Sequence, residues 1–229
     1  HLEADGYDTQ IPEAAFFNSD ISGWDVSNVT HMDRMFQGAQ AFDQNINGWD
    51  VSSLERMHAI FSESTFNGPL NDWDVSSVWL MSFAFHKSDF NQPLSNWDVS
   101  NVIRMEYIFR EAPFNQDIST WNVSNLSNFE AAFLGAEFNQ SIGNWNTSNV
   151  TNMSHAFQSS SFNQDISAWD VSNVTDMSDM FLGADSFNQD IGGWNVSNVT
   201  NFSRMFYNRF SNAVGGAFMS FDQDLSTWD

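Results

Sequence analysis

A tandem-repeat solenoid, mainly β, is the fold class this sequence predicts, and three observations predict it. A tryptophan recurs at positions 24, 49, 73, 97, 121, 145, 169, 194 and 228. Its surroundings recur with it, so that F-N-Q-D-I-S-x-W-D-V-S-N-V-T-x-M-S-x-M-F-x-G-A describes each 24- or 25-residue unit. Four apolar lanes run through all units, led by Phe17, Ile21, Val29 and Phe36. A unit this short cannot bury its own apolar face, whereas stacked units bury a continuous core.

The parts follow in chain order. Residues 1–15 lie outside the repeat and are expected to form an N-terminal cap or linker, because a bare end coil exposes core and an unpaired edge. Residues 16–206 are the tandem repeats, 207–220 an insertion, and 221–229 a partial last repeat. Within a unit, W-D-V alternates with the two-residue period of a strand. The V-T-x-M-S-x-M-F stretch has threefold spacing, which suits a helical turn or a second strand. Asn, Ser and Gly mark the corners, where short side chains satisfy the backbone locally. Short strands and turns stacked in about eight coils at roughly 4.8 Å each would make a rod about 40 Å long.

Composition narrows the partners. The 229 residues include 23 Phe and 10 Trp, too aromatic for a disordered chain. A formal charge of −22, with 7 Lys plus Arg, repels nucleic acid and anionic membrane surfaces. Cysteine is absent, which removes disulfides and thiolate chemistry but leaves the compartment open. No run approaches the ~18 apolar residues of a membrane span. The chain begins at His1, so a removed secretory signal and a cut fragment are both open readings.

The motif resembles a known family. The order Ile21-Ser22-Gly23-Trp24-Asp25-Val26 is similar to the L-x-x-L-x-L of leucine-rich repeats, with Trp in the middle place. The whole unit, as in FNQDISAWDVSNVTDMSDMFLGAD from Phe162 to Asp185, resembles BspA-type leucine-rich-repeat-like surface proteins over residues 16–229. Asn28 departs from that pattern, standing one place before the leucine-rich-repeat Asn. The resemblance implies a secreted or surface-anchored, non-enzymatic protein used for adhesion or surface structure.

Residues with chemistry to offer fall into separate lanes. His31, His58, His86 and His155 occupy different lanes and are not predisposed to meet; His1 would chelate a metal only as a true terminus. The Trp+1 lane holds Asp25, Asp50, Asp74, Asp98, Asp170 and Asp229, alternating with Asn122, Asn146 and Asn195. Such interchange fits turn capping, with structural Ca²⁺ bridging the stacked carboxylates as the alternative. No other cofactor is expected. The Trp lane is read as core rather than as a sugar platform. The Thr lane breaks at Glu55, Trp79, Ile103 and Ser127, against a flat ice-binding array.

Glycosylation sequons fall at Asn28, Asn122, Asn125, Asn146, Asn149, Asn152, Asn173, Asn195, Asn198 and Asn201. In a eukaryotic secreted protein those carrying glycan would face solvent. The first half breaks the pattern differently: Trp79, Leu80, Phe83, Ile103 and Tyr107 replace residues that are polar elsewhere. Five of the seven basic residues, Arg34, Arg56, Lys87, Arg104 and Arg110, also fall in this half. Either these form an interface, or they pack locally. At the C-terminal end, Phe210, Phe218, Met219, Leu225 and Trp228 are expected either to cap the coil stack or to dock on a neighbour.

The expected function is therefore structural: an extracellular or cell-surface protomer, not an enzyme, that forms a filament or layer through coil ends and sides. A homopolymer or another surface protein would be its partner. The alternative is a monomeric adhesin-type module recognising a host protein or glycan.

Overall fold

Backbone polar groups must find partners when they leave water, and in this chain they find them one repeat away. The computed structural model describes residues 14–208 and 220–228. A short 3-10 helix, Ala14–Phe16, precedes the first repeat. The repeats then stack as coil 1 (17–41), coil 2 (42–65), coil 3 (66–89), coil 4 (90–113), coil 5 (114–137), coil 6 (138–161), coil 7 (162–186) and coil 8 (from 187), with 221–228 beyond it.

One residue per coil makes a parallel β-bridge to the next. The series is His31, Arg56, Leu80, Arg104, Asn128, Asn152, Asp176 and Asn201. Among the described residues these single bridges replace extended strands, and they fall just after the V-T lane rather than on W-D-V. Their register equals the repeat, so each lane of the sequence becomes a row along the stack.

The stretch after each bridge explains why so little regular structure is present. In coil 1 the amides of Met32, Arg34, Phe36 and Gly38 donate to the carbonyls of Arg56, His58, Ile60 and Ser62 in coil 2. The intervening amides of Met35, Gln37 and Ala39 donate instead to carbonyls three residues back. Turns and inter-coil bonds thus alternate along one segment. This needs two left-handed residues per coil, four apart: Arg34 and Gly38, Tyr107 and Glu111, Ala131 and Gly135, Asp179 and Gly183.

The second of these explains the G of the repeat. Gly135 has φ +65, and an added Cβ would sit 3.2 Å from Glu111 Cγ. Gly135→Ala is expected to cost about 1 kcal/mol, the penalty of placing a Cβ in the left-handed region. A lowered urea midpoint would show it.

The core is a set of aromatic columns. Phe114 and Phe138 stack at 6.2 Å, and Phe133 and Phe157 at 5.7 Å. The Phe, Ile, Val and Met lanes are buried throughout the middle coils. Each tryptophan of the repeating lane after Trp24 donates from Nε1 to the Ile- or Leu-lane carbonyl of the preceding coil, as Trp73 does to Ile46 at 2.9 Å and Trp121 to Leu94 at 3.0 Å. Indole burial therefore carries no orphaned donor. The lane read as core is core, with Trp49 to Trp194 buried. Trp24 in coil 1, which has no coil before it among the described residues, is 54% exposed.

Candidate functional site

The bridge lane and the residues on either side of it make one face of the stack, here termed the ladder face. Its two halves differ in chemistry. In coils 5 to 8 the face holds Thr and Ser hydroxyls in file: Ser127 donates to the Ile103 carbonyl, Thr151 to Ser127, Thr175 to Thr151 and Thr200 to Thr175. In coils 1 to 5 large and charged side chains replace them, and they enclose a groove of about 580 Å³.

Coil 1 supplies Asp33 and Arg34 to this groove, coil 2 Arg56 and His58, coil 3 Leu80, Ser82 and Phe83, coil 4 Arg104, Glu106 and Tyr107, and coil 5 Asn128 and Glu130. Their order reflects the lanes: the bridge residue, then positions two and three places later, repeated in each coil. Three of the chain's seven basic residues line this one groove despite a charge of −22.

Its polar groups form a defined network. Glu106, whose side chain is 4% exposed, accepts from Arg104 Nε at 2.6 Å, from Asn128 Nδ2 at 2.9 Å and from the Ser82 hydroxyl. Tyr107 donates its hydroxyl to Glu130 at 2.5 Å, and burial together with that carboxylate raises the phenol's pKa. Glu130 also accepts from Asn152. Asp33 accepts from the His58 amide at 3.0 Å and from Arg56 Nη2 at 2.6 Å. Burial, reinforced by Arg34, lowers the pKa of His58 and keeps its imidazole neutral.

Of the five residues singled out in coils 3 and 4, Leu80, Phe83 and Tyr107 line the groove. Phe83 and Tyr107 stack at 4.5 Å within the groove. Trp79 and Ile103 stand on the ladder face at 37% and 44% exposure, while Leu80 is buried. Arg56 lies 5.9 Å from the Trp79 ring and Arg110 5.8 Å from that of Tyr107. Sequence reasoning named the aromatic and basic members but not Asp33, His58, Glu106, Asn128 and Glu130. The signal was available: acids two places after a bridge residue share its face in a stack of this register.

At the other end, Trp228 donates to the Ile191 carbonyl and stacks on Trp194 at 6.4 Å, and Leu225 packs beside it, so both extend the core of coil 8. Phe210, Phe218 and Met219 lie outside the described residues.

The Asp lane closes turns. Asp98 Oδ1 accepts the Ser100 amide at 2.9 Å and Asp170 Oδ1 that of Ser172 at 3.0 Å. Asn122, Asn146 and Asn195 do the same in their coils. The bonds to serine lower the pKa of Asp25, Asp50, Asp98 and Asp170. Among the described residues no cluster of three His, Asp or Glu side chains is placed to hold a metal ion. None of the described helices is long and apolar enough to cross a membrane.

The sequons divide into lanes with different chemistry. Asn122, Asn146 and Asn195 use Oδ1 as acceptor. Asn125, Asn149, Asn173 and Asn198 spend an Nδ2 proton on a serine carbonyl of the preceding coil, each at 2.7 Å. Asn152 and Asn201 are part-buried in the bridge lane, and Asn28 is exposed in coil 1. Glycan attachment at Nδ2 is thus most compatible with the first set.

No curated protein and no solved structure matches the chain. A family model matches it three times in overlapping stretches, at residues 9–89, 63–158 and 127–229, as expected where one repeated unit fills the chain. On this coverage the chain is a repeat protein belonging to the DUF285 family, described as Mycoplasma protein of unknown function.

Proposed function

We propose that the chain is a non-enzymatic, extracellular or cell-surface solenoid of leucine-rich-repeat-like coils, BspA-type in kind, that builds a filament or layer from copies of itself. The observation supporting this is the polarity of its two ends. Within the stack, ladder amides of one coil donate to carbonyls of the next. Coil 1 accordingly presents the carbonyls of His31, Asp33 and Met35, and coil 8 the amides of Phe202, Arg204 and Phe206. These groups have no partner among the described residues. Trp24 Nε1 and the Leu225 carbonyl are a further donor and acceptor of the same repeating bond.

Each end thus offers groups that the other end can pair, which suits a head-to-tail contact that is heterologous and propagates unless it closes into a ring. The apolar surface at the coil 1 end, with Trp24, Met35 and Phe16 exposed, adds area for such a contact. Negative-stain electron microscopy over a concentration series tests the reading. Filaments or arrays are expected for the native chain and single particles for Trp24→Asp, with an unchanged melting temperature. Separate rods of the native chain at every concentration would overturn it and leave the monomeric binding module as the better reading.

A further inference from the structure

The groove on the ladder face has spare donors and no spare carboxylate. Asp33, Glu106 and Glu130 are each occupied by two or more donors of the chain itself. Arg104 spends only Nε and Arg56 only one Nη on them, of the five N–H donors each guanidinium carries. Arg56 Nε is buried without a hydrogen-bond partner among the described residues. A site of this balance takes an acceptor, and guanidinium forks favour carboxylates above neutral acceptors.

Three further features select the kind of acceptor. The chain's charge of −22 opposes a polyanion charged at every unit, such as a nucleic acid or sulfated glycan, far more than a peptide with a few carboxylates placed to meet the guanidiniums. Phe83 and Tyr107 face each other at 4.5 Å, and Arg56 lies against Trp79, so these rings are engaged with the chain's own groups. That disfavours a sugar, which needs a free aromatic face, and suits aliphatic or aromatic side chains packing beside Trp79 and Ile103. The groove also runs across five coils, so its length is about 19 Å, that of roughly six extended residues.

We infer that this groove binds an extended acidic peptide segment of a partner protein, its carboxylates on Arg56 and Arg104 and its apolar side chains against Trp79 and Ile103. The site is independent of self-assembly.

Fluorescence anisotropy with the full chain and a labelled Glu-Leu-Glu-Phe-Glu-Leu peptide tests it, beside the same peptide with Gln for Glu. Saturable binding of the acidic peptide is expected, with the Gln peptide weaker by roughly tenfold or more, the scale of one lost charged hydrogen bond. Arg56→Gln and Arg104→Gln should each weaken binding to a similar degree, while Thr175→Val, on the other half of the face, leaves it unchanged. Trp79→Ser, which removes an exposed ring, provides a second variant should an arginine change lower the melting temperature. No saturation at millimolar chain, equal binding of the two peptides, or binding indifferent to all three groove variants would each overturn the inference. Selective binding of an acidic sugar such as glucuronate in place of the peptide would overturn it as well.

Discussion

Trp121→Ala is expected to lower stability by about 3–5 kcal/mol, the range for deleting a fully enclosed large aromatic side chain. The indole stacks on Trp97 at 6.4 Å and on Trp145 at 6.3 Å, so its loss opens a cavity between two rings with few flexible neighbours to fill it. The change also leaves the Leu94 carbonyl without the Nε1 donor it has at 3.0 Å. Trp121→Phe separates the two contributions. It keeps most of the ring and loses the bond, and should cost about 1–2 kcal/mol.

Trp24→Ala supplies the control, since that ring is half exposed and its Nε1 donates to no coil among the described residues. It should cost less than about 1 kcal/mol. Stacked repeats lose cooperativity when an inner interface weakens, because each unit is stabilised chiefly by its neighbours. Denaturant unfolding of Trp121→Ala should therefore broaden or split as its midpoint falls, with amide exchange accelerating first in coils 4 to 6. An unchanged midpoint would mean that the tryptophan column is not what binds coil to coil.

Much of this architecture was legible because the repeat is so regular. Phe114, Ile118, Trp121 and Leu126 could be assigned to buried lanes from spacing alone, and stacking places each beside its equivalent in the next coil. The path of the chain between lanes was less legible. V-T-x-M-S-x-M-F offered either a helical turn or a strand, and the described backbone is a row of turns with a bond to the neighbouring coil at every second residue. Threefold spacing does not report that alternation, because it depends on left-handed residues. Glycine marks only one of the two left-handed lanes, and in that lane Glu63, Lys87, Glu111 and Ser159 also occur.

The groove was half legible for a related reason. Apolar and basic residues on a normally polar lane stand out against the consensus, as Trp79, Ile103 and Arg104 do. Acids do not stand out in a chain with 29 of them. Glu106 and Glu130 acquire meaning only when the register of the bridge lane sets Glu106 between Ser82 and Asn128 and Glu130 opposite Tyr107. The sequons illustrate the same limit, since one motif covers asparagines that use Oδ1 and others that spend Nδ2.

His86 gives the second large effect, and it is a dependence on pH. The imidazole sits in the lane held by Leu134 and Leu182 in later coils. It is 8% exposed, with Nδ1 3.2 Å from the Ser62 hydroxyl and Nε2 buried without a partner among the described residues. Burial, then the charges of Arg110 and Lys87, lowers its pKa to about 4. The folded pKa lies below the unfolded value of ~6.5, so the folded state favours the neutral ring. The stabilisation is complete above pH ~6.5 and is lost as pH falls towards 4 and the unfolded chain takes up the proton first. At 1.36 kcal/mol per unit, the loss amounts to about 2 kcal/mol at pH 5 and about 3 at pH 4.

The Asp turns act in the same direction at lower pH. Their lowered values put their own loss below the ordinary carboxylate pKa of ~3.9, leaving the window from 6.5 to 4 chiefly to histidine. His58, also lowered by burial, contributes there. His86→Leu is accommodated elsewhere in the repeat and should flatten most of this decline without lowering stability at pH 7. Urea midpoints measured from pH 7 to pH 4 on both chains test it. Parallel curves for the two would show that the imidazole does not remain neutral in the fold.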